Sequence, residues 1–516
     1  MKFTIKPYGI ITAILALLIF SGIQINFSLT RIIYGLPDMA DLLLRMSNPN
    51  FNHFETILPR LIETFEMAIL GTIIGSFLAV FISILVSNNS APSRIFPLVL
   101  NPLLAVLRTI PSVVWAALLV AIFSIGKTSG IIALSITALC IGTKLLREQI
   151  EAIPQNKLNS LNSLGANTIQ SFYYGIFPVI SHNFITVFFF ILEINIRSAT
   201  VLGFVGAGGI GQLIEMDLNF MNYSNLATII LVLIVSIAII DLLSFSLRKA
   251  SQKVWVPLKN WRQQRAANFL KPIFIMSIFI LSIILLIKSV DVDSNRIALG
   301  LEQAQYMVIR MLKFDFSYAE QTITAVWETF AIAMFATILG GFFALFLGAM
   351  TCYYLVPKPI YFIAKLLVNV IRTFPVIITA IIFFRGVGPG ALAGALALSV
   401  YSTGVLSKLY GEILERDCRN LYMSLLAVGA NPIQIFRHGL FYQSISEYIS
   451  IVLYRLESNM RSSTLLGIVG AGGIGAPLIM NISNRNWERV GILLLGILFL
   501  VLVVEKISYY LRQRIK

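Results

Sequence analysis

Residues 201–213 read "VLGFVGAGGIGQL", and inside them Gly206-Ala207-Gly208-Gly209-Ile210-Gly211 fits the pattern G-x-G-x-x-G. That spelling cradles a pyrophosphate when it follows a strand, opens a soluble helix and has an acid about 20 residues further on. Here the preceding segment, "FFFILEINIRSAT", has membrane-spanning character, and the residues about 20 positions on read "LATIILVLI", with no acid. A P-loop is also excluded, because Gln212 follows Gly211 where a Lys would be required. The spelling recurs as "LLGIVGAGGIGAPL" at residues 465–478, with Ala476 in the same place. One explanation has to cover both copies.

Working outward, Gly206 matches Gly470 at an offset of 264 residues. At that offset residues 197–211 match 461–475, differing only at Ala199/Ser463, Val201/Leu465 and Phe204/Ile468. Arg108-Thr109-Ile110-Pro111 matches Arg372-Thr373-Phe374-Pro375, and Gly165-Ala166-Asn167 matches Gly429-Ala430-Asn431. Upstream, Thr72-Ile73-Ile74-Gly75 matches Thr337-Ile338-Leu339-Gly340 at 265, so a single-residue length change lies between the blocks. The chain is a tandem duplication. Its expected divisions are a first repeat over 1–250, a basic linker over 251–269 and a second repeat over 270–516.

The 516 residues are 57% hydrophobic and only 12% charged, about half the charge of a soluble protein. Runs such as 8–27, 228–247, 272–287 and 490–504 approach or reach the length that crosses a bilayer. The expectation is an all-α integral membrane protein with about twelve transmembrane helices as two parallel six-helix repeats. They fall near 8–27, 62–87, 97–124, 128–147, 178–200 and 224–247, then near 270–288, 327–355, 360–384, 389–410, 442–464 and 489–511. An even number of spans per half gives both halves one orientation. The first segment, with Lys2 and Lys6 ahead of an apolar core, is read as an uncleaved helix. No clear small-x-small site follows it, and an equivalent segment opens the second half.

A net charge of +15 would suggest nucleic acid in a soluble chain; here the basic residues sit in short loops and set topology instead. Arg248, Lys249, Lys253, Lys259, Arg262, Arg265 and Lys271 fill the junction without an intervening acid, and both termini are basic. The termini and junction are therefore expected in the cytoplasm of a multi-pass protein of the cell (plasma or inner) membrane. The loops after each half's first helix mix signs (Asp38, Asp41, Arg45, Glu55; Asp291, Asp293, Arg310, Asp315) and fit outside. Cys140, Cys352 and Cys418 imply no disulfide framework, and His53, His182 and His438 form no metal motif.

Two groups of residues stand out inside the spans. Glu193 and Arg197, repeated as Glu457 and Arg461, lie four apart on one helix face in the favourable acid-first order. Ionisable groups at such depth face the bundle interior. They read either as an internal ion pair or as arginines defining an anion-friendly passage, and Arg108 and Arg372, just before Pro111 and Pro375, pose the same choice. With Gly206, Gly208, Gly209, Gly470, Gly472 and Gly473 these residues form the candidate translocation pathway. Irregular backbone at membrane depth is tolerated where it is buried in protein or lines a cavity.

The loops between the fourth and fifth spans read "REQIEAIPQNKLNSLNSLGANTIQSFYYGIFP" (147–178) and "GEILERDCRNLYMSLLAVGANPIQIFRHGLFY" (411–442). Each reads as two short helices joined at Gly165 or Gly429, with Leu158, Leu161 and Leu164 at helical spacing in the first copy. They resemble the coupling motif of ABC-importer permeases: small residues, then a Gly, then a Pro after a fixed gap, which Gly165 and Pro178 fit. The motif's Glu-Ala-Ala falls instead on Asn159-Ser160-Leu161 and Met423-Ser424-Leu425, and Tyr442 replaces the proline in the second copy. "LRTIPSVVWAALLVAIFSIGKTSGIIALSI", "EINIRSATVLGFVGAGGIG", "IRTFPVI" and "ESNMRSSTLLGIVGAGGIG" resemble the phosphonate-type permeases in particular.

The resemblance implies a type I ABC importer permease with two units fused in one chain, importing phosphonate or a related phosphorus oxyanion such as phosphite or a phosphate ester. It implies an extracytoplasmic solute-binding protein and two ABC ATPase subunits as partners. The ATPases would dock on Leu161, Gly165, Ala166, Asn167, Leu425, Gly429, Ala430 and Asn431. ATP and Mg would be bound by those partners, the chain itself having no Walker motif, no cofactor and no catalytic residue. A second class of function, a twelve-helix secondary transporter driven by an ion gradient, would use intramembrane acids, for which Glu193, Glu457, Asp241 and Glu505 are candidates.

Overall fold

The computed structural model describes residues 7–253, 277, 280, 281, 284 and 294–515. Lys2, Lys6, Lys516, most of the expected linker and most of the expected span at 270–288 lie outside the described residues. The regular elements among the described residues are all helices, with no strand. We number the principal helices α1 (Pro7–Gln24), α2 (Leu29–Arg45), α3 (Phe54–Val86), α4 (Ile95–Thr109), α5 (Ser112–Phe123), α6 (Lys127–Glu151), α7 (Gln155–Ser163), α8 (Phe177–Leu202), α9 (Ile210–Asn219) and α10 (Tyr223–Lys253). The second half adds α11 (Ser294–Met311), α12 (Ala319–Met350), α13 (Lys358–Thr373), α14 (Val376–Val387), α15 (Ala391–Ala427), α16 (Phe441–Leu466), α17 (Gly475–Ser483) and α18 (Trp487–Ile515). Seven helices are long and apolar enough to cross a membrane, or up to ten if each of three bent pairs is one span. The segment at 441–466 falls short on composition because it carries Glu447, Arg455, Glu457 and Arg461.

Two expected single spans are each two helices. α4 and α5 meet at 88°, and α13 and α14 at 89°. The cause is local: a proline lacks an N–H and pushes its predecessor out of the helical region. Ile110 (φ −78°, ψ 120°) and Phe374 (φ −65°, ψ 123°) are both extended ahead of Pro111 and Pro375. A second correction concerns residues 29–45 and 294–311, read above as outside loops. They form α2 and α11. In α2 the buried residues Gly35, Met39 and Leu42 recur at helical spacing between Asp38, Asp41 and Arg45. Its low overall hydropathy hides it from a search for spans.

The chain divides by packing into two compact units, residues 46–308 and residues 1–45 with 309–516. In the first, α3 lies along α6 with small residues at the crossing: a Cβ on Gly71 would fall 2.7 Å from Leu134 Cβ, and one on Gly75 2.3 Å from the Ser135 carbonyl. α8 packs on both, and α11 belongs here through Gly300, which sits against Phe123. In the second unit α12 and α15 cross in the same way, Gly340 against Ser399 and Ser402. α1 lies on α12 through the Phe20–Trp327 ring pair at 6.1 Å. α2 meets α14 backbone to backbone, Gly35 against Gly386. Each unit thus takes helical segments from the other half of the sequence.

Candidate functional site

The glycine stretch is a bend between α8 and α9. α8 ends in a tight turn at Gly203–Val205. Gly206, Gly208 and Gly209 then take φ of 83°, 89° and 77°, and Gly470, Gly472 and Gly473 repeat this at 77°, 82° and 79°. Such φ values strain any residue with a Cβ, which explains three of the five glycines in each copy. The Ala207 N–H closes the helix end on the Leu202 carbonyl at 3.2 Å, as Ala471 does on Leu466 at 3.1 Å. The other two, Gly203 and Gly211 in the first copy and Gly467 and Gly475 in the second, serve close approach. A Cβ on Gly203 would lie 2.5 Å from Gly211 Cα, and one on Gly467 2.6 Å from Gly475 Cα.

Neighbouring elements hold the bend. The Ile210 N–H donates to Thr64 Oγ1 at 2.8 Å, and the Ile474 N–H to Thr329 Oγ1 at 2.8 Å. The loop before α6 reaches in through the Gly126 N–H, which donates to the Gly206 carbonyl at 3.1 Å; Gly390 does the same to Gly470 at 3.0 Å. The carboxylates of Glu63 and Glu328 press on the bend, since a Cβ on Gly208 or Gly472 would fall 2.7 or 2.9 Å from them. Sequence reading missed this Glu-Thr pair. Glu63-Thr64 and Glu328-Thr329 match at the 265-residue offset, so the repeat itself carried the signal.

The charged pair in α8 forms a cluster of three. Arg197 Nη2 lies 2.7 Å from Glu193 and 3.1 Å from Asp241 on α10. In the second half Glu457, 3% exposed, accepts a hydrogen bond from Arg512 of α18 at 2.8 Å. These groups tie the fifth span of each half to the sixth. The structure does not gather all the candidate residues at one point: Arg197 turns to α10, while the glycine bend is held by α3 and the loop before α6. Arg108 and Arg372 close the last turns of α4 and α13, where a cation suits the helix dipole. The stem of Arg372 lies against Gly404 of α15. Also missed were Asn195 and Asn459, both wholly buried, whose amides donate to Thr72 at 2.9 Å and Thr337 at 2.8 Å.

The two loops share one local design. After α7 the chain takes φ +85° at Gly165, and the Ala166 N–H bonds the Leu161 carbonyl at 3.1 Å. Gly429 has the same φ, and the Ala430 N–H bonds Leu425 at 3.1 Å. Asn167 and Gln170 then exchange side-chain bonds with each other's backbone N–H at 2.8 and 2.9 Å, as Asn431 and Gln434 do at 2.9 and 3.0 Å. This is a capping box that starts the next helix. A π turn follows in each copy, Phe172–Ile176 and Phe436–Leu440. Leu164 and Val428 at the tips are 84% and 81% exposed. The copies differ before the tip: α6 and α7 are separated at Pro154, whereas α15 runs unbroken to Ala427. Among the described residues no group of three or more His, Cys, Asp or Glu side chains could hold a metal ion.

Comparison with known proteins places this geometry. The model of the family "binding-protein-dependent transport system inner membrane component" matches twice, over residues 71–255 and 340–516. The phosphate-import permease protein PhnE of Mycolicibacterium smegmatis is 27% identical over 499 residues, 96% of this chain and 93% of that one. The phosphite transport system permease protein PtxC of Stutzerimonas stutzeri is 32% identical over 225 residues, 43% of this chain and 82% of its own. The putative cryptic phosphonate transport system permease protein PhnE2 of Escherichia coli is 38% identical over 118 residues, 23% of this chain and 97% of its own. With two family matches covering most of its length, the chain belongs to the binding-protein-dependent transport system inner membrane components, as two permease repeats in one polypeptide.

Proposed function

We propose that the chain is the membrane pathway of an ATP-driven importer of phosphate, phosphite, phosphonate or a related phosphorus oxyanion. The observation that carries the reading is similarity over nearly the whole chain to a phosphate-import permease, joined by phosphite and phosphonate permeases at one repeat's length or less. Family membership also favours it over the gradient-driven reading. Both termini and the basic junction face the cytoplasm, where Arg248, Lys249 and Lys253 meet the positive-inside rule. The Gly165 and Gly429 loops then lie on the cytoplasmic side, and their exposed Leu164 and Val428 suit docking to two ATPase subunits that bind ATP and Mg. A solute-binding protein delivers the anion to the outer ends, near the glycine bends. Arg108, Arg197, Arg372 and Arg461 bias the pathway toward anions, and Glu193 and Glu457 hold arginines in place.

The test is reconstitution with the ATPase and binding protein. Gly165→Trp and Gly429→Trp are expected to abolish stimulation of ATP hydrolysis by loaded binding protein. No atom lies within 4 Å of a Cβ at either position, so the substitution strains only the exposed tip. Undiminished stimulation in both variants contradicts the docking assignment.

A further inference from the structure

The second half holds a cationic side chain that the first half lacks. Arg455 on α16 is only 7% exposed. Its Nε donates to Ser402 Oγ at 3.2 Å, and its guanidinium lies over the Tyr401 ring at 4.7 Å. Nη2 is buried without a hydrogen-bond partner among the described residues. Tyr401, Tyr454 and a second cation, Arg461, lie near it, and among the described residues no carboxylate pairs with it. Ser402 is fixed in turn by the Asn459 amide at 2.9 Å, which also holds Thr337 at 2.8 Å. At the repeat offset Arg455 falls on Ile191 and Ser402 on Ala138, both in the apolar cluster between α3, α6 and α8.

A buried cation normally has an anion beside it. Packing does not require this one, since the same fold position is filled by isoleucine in the first half. Arginine offers a rigid donor fork matched to tetrahedral oxyanions, and charge-assisted bonds of that kind are the strong ones. We propose that Arg455, oriented by Ser402 and Tyr401 and reinforced by Arg461, is an oxyanion-binding site within the permease, carried by the second repeat alone. The site rests on the proposed function for its ligand class, a phosphorus oxyanion in transit. Tyr401 and Ser402 position the guanidinium; Arg455 makes the contact.

The experiment uses full-length chain, first purified in phospholipid-free detergent and then reconstituted with its ATPase and binding protein. Inorganic phosphate is expected to raise the melting temperature of the wild-type chain, while chloride at equal ionic strength does not. Arg455→Ile restores the residue of the first repeat; it is expected to fold, to lose the phosphate-dependent rise and to increase the KM for uptake about tenfold or more. Arg455→Lys, which keeps the charge without the fork, is expected to fall between. An unchanged shift and KM in Arg455→Ile overturn the site. An equal shift with chloride overturns its oxyanion character. A rise seen only after phospholipid is added assigns the contact to a lipid headgroup and overturns the transit role. Should the wild type bind phosphate at Arg455 yet transport no phosphorus oxyanion with its partners present, the proposed function fails and the site stands.

Discussion

The core of α3, α6 and α8 and the core of α12, α15 and α16 occupy equivalent positions and are built from different chemistry. The first is apolar: Ala138, Leu146, Ile180, Val187 and Ile191 pack together with Ala79. The second replaces Leu146 with Tyr410, Ile180 with Ser444, Phe184 with Tyr448, Ala138 with Ser402 and Ile191 with Arg455. Tyr448 donates to the Gly341 carbonyl and Tyr410 lies 3.3 Å from Ser444. The glycine bends and loop caps, by contrast, are the same almost bond for bond. Duplication has kept the parts set by backbone geometry and let the helix interface diverge. Polar groups inside a membrane bundle cost stability and are kept for function.

Crossing the two cores gives the largest expected effect. Ile191→Arg places an unpaired charge among apolar side chains and is expected to cost about 3–5 kcal/mol or prevent folding, whereas Arg455→Ile is expected to be neutral or stabilising. Chemical denaturation of both variants in one detergent decides this; equal losses erase the comparison. Next come the bends, where the halves should agree. Gly208→Ala and Gly472→Ala each place a Cβ at positive φ against a carboxylate and are expected to cost about 1–3 kcal/mol apiece. A large effect in only one half would show that the bends are not equivalent. Smaller still, Asn195→Ala removes a bond to Thr72 and a weaker one to Leu134, and Asn459→Ala removes bonds to Thr337 and Ser402. Interhelical bonds in membranes average about 0.6 kcal/mol, so the second variant should lose more, in proportion to its firmer ties.

The smallest effect distinguishes the outer ties. Asn50 donates to Asn225 at 2.9 Å, and the equivalent pair, Asp315 and Arg489, is ionic at 3.0 Å. Hydrogen bonds from Ser317 and Arg489 hold the Asp315 carboxyl below its ordinary value of 3.8. A lowered carboxyl contributes stability above that ordinary value and loses it as pH falls through the lowered one. Acidification below about pH 4 should therefore loosen the Asp315 turn and leave the Asn50 turn unchanged. Fluorescence of Trp487, two residues from Arg489, should report the change, and Asp315→Asn should abolish it.

How much of this was legible in the sequence follows from what sequence repeats record. The duplication, the bends at Gly206 and Gly470, the breaks at Pro111 and Pro375 and the exposed tips at Gly165 and Gly429 rest on glycine, proline and spacing, which act locally. The sharpness of the breaks was not legible, because a proline requires only that a helix be interrupted; packing decides how far the next helix turns. α2 and α11 were missed because their apolar faces are narrow, and a search tuned to uniform runs passes over them. Arg512 as a partner of Glu457 was missed because the two lie 55 residues apart. Helical spacing alone points from Glu457 to Arg461, four residues on. Arg455 lies inside a segment already taken as a span, and its meaning emerges only beside Ile191.

The proposed function requires two repeats to form one pathway driven by ATP on partner subunits. It is tested most directly by oxyanion uptake into proteoliposomes containing the chain, its ATPase and its binding protein, with ion gradients collapsed by ionophore. Phosphate, phosphite or phosphonate is expected to accumulate in a manner that requires ATP and persists without a gradient. Uptake that proceeds without ATP and stops when the proton gradient is collapsed would contradict it.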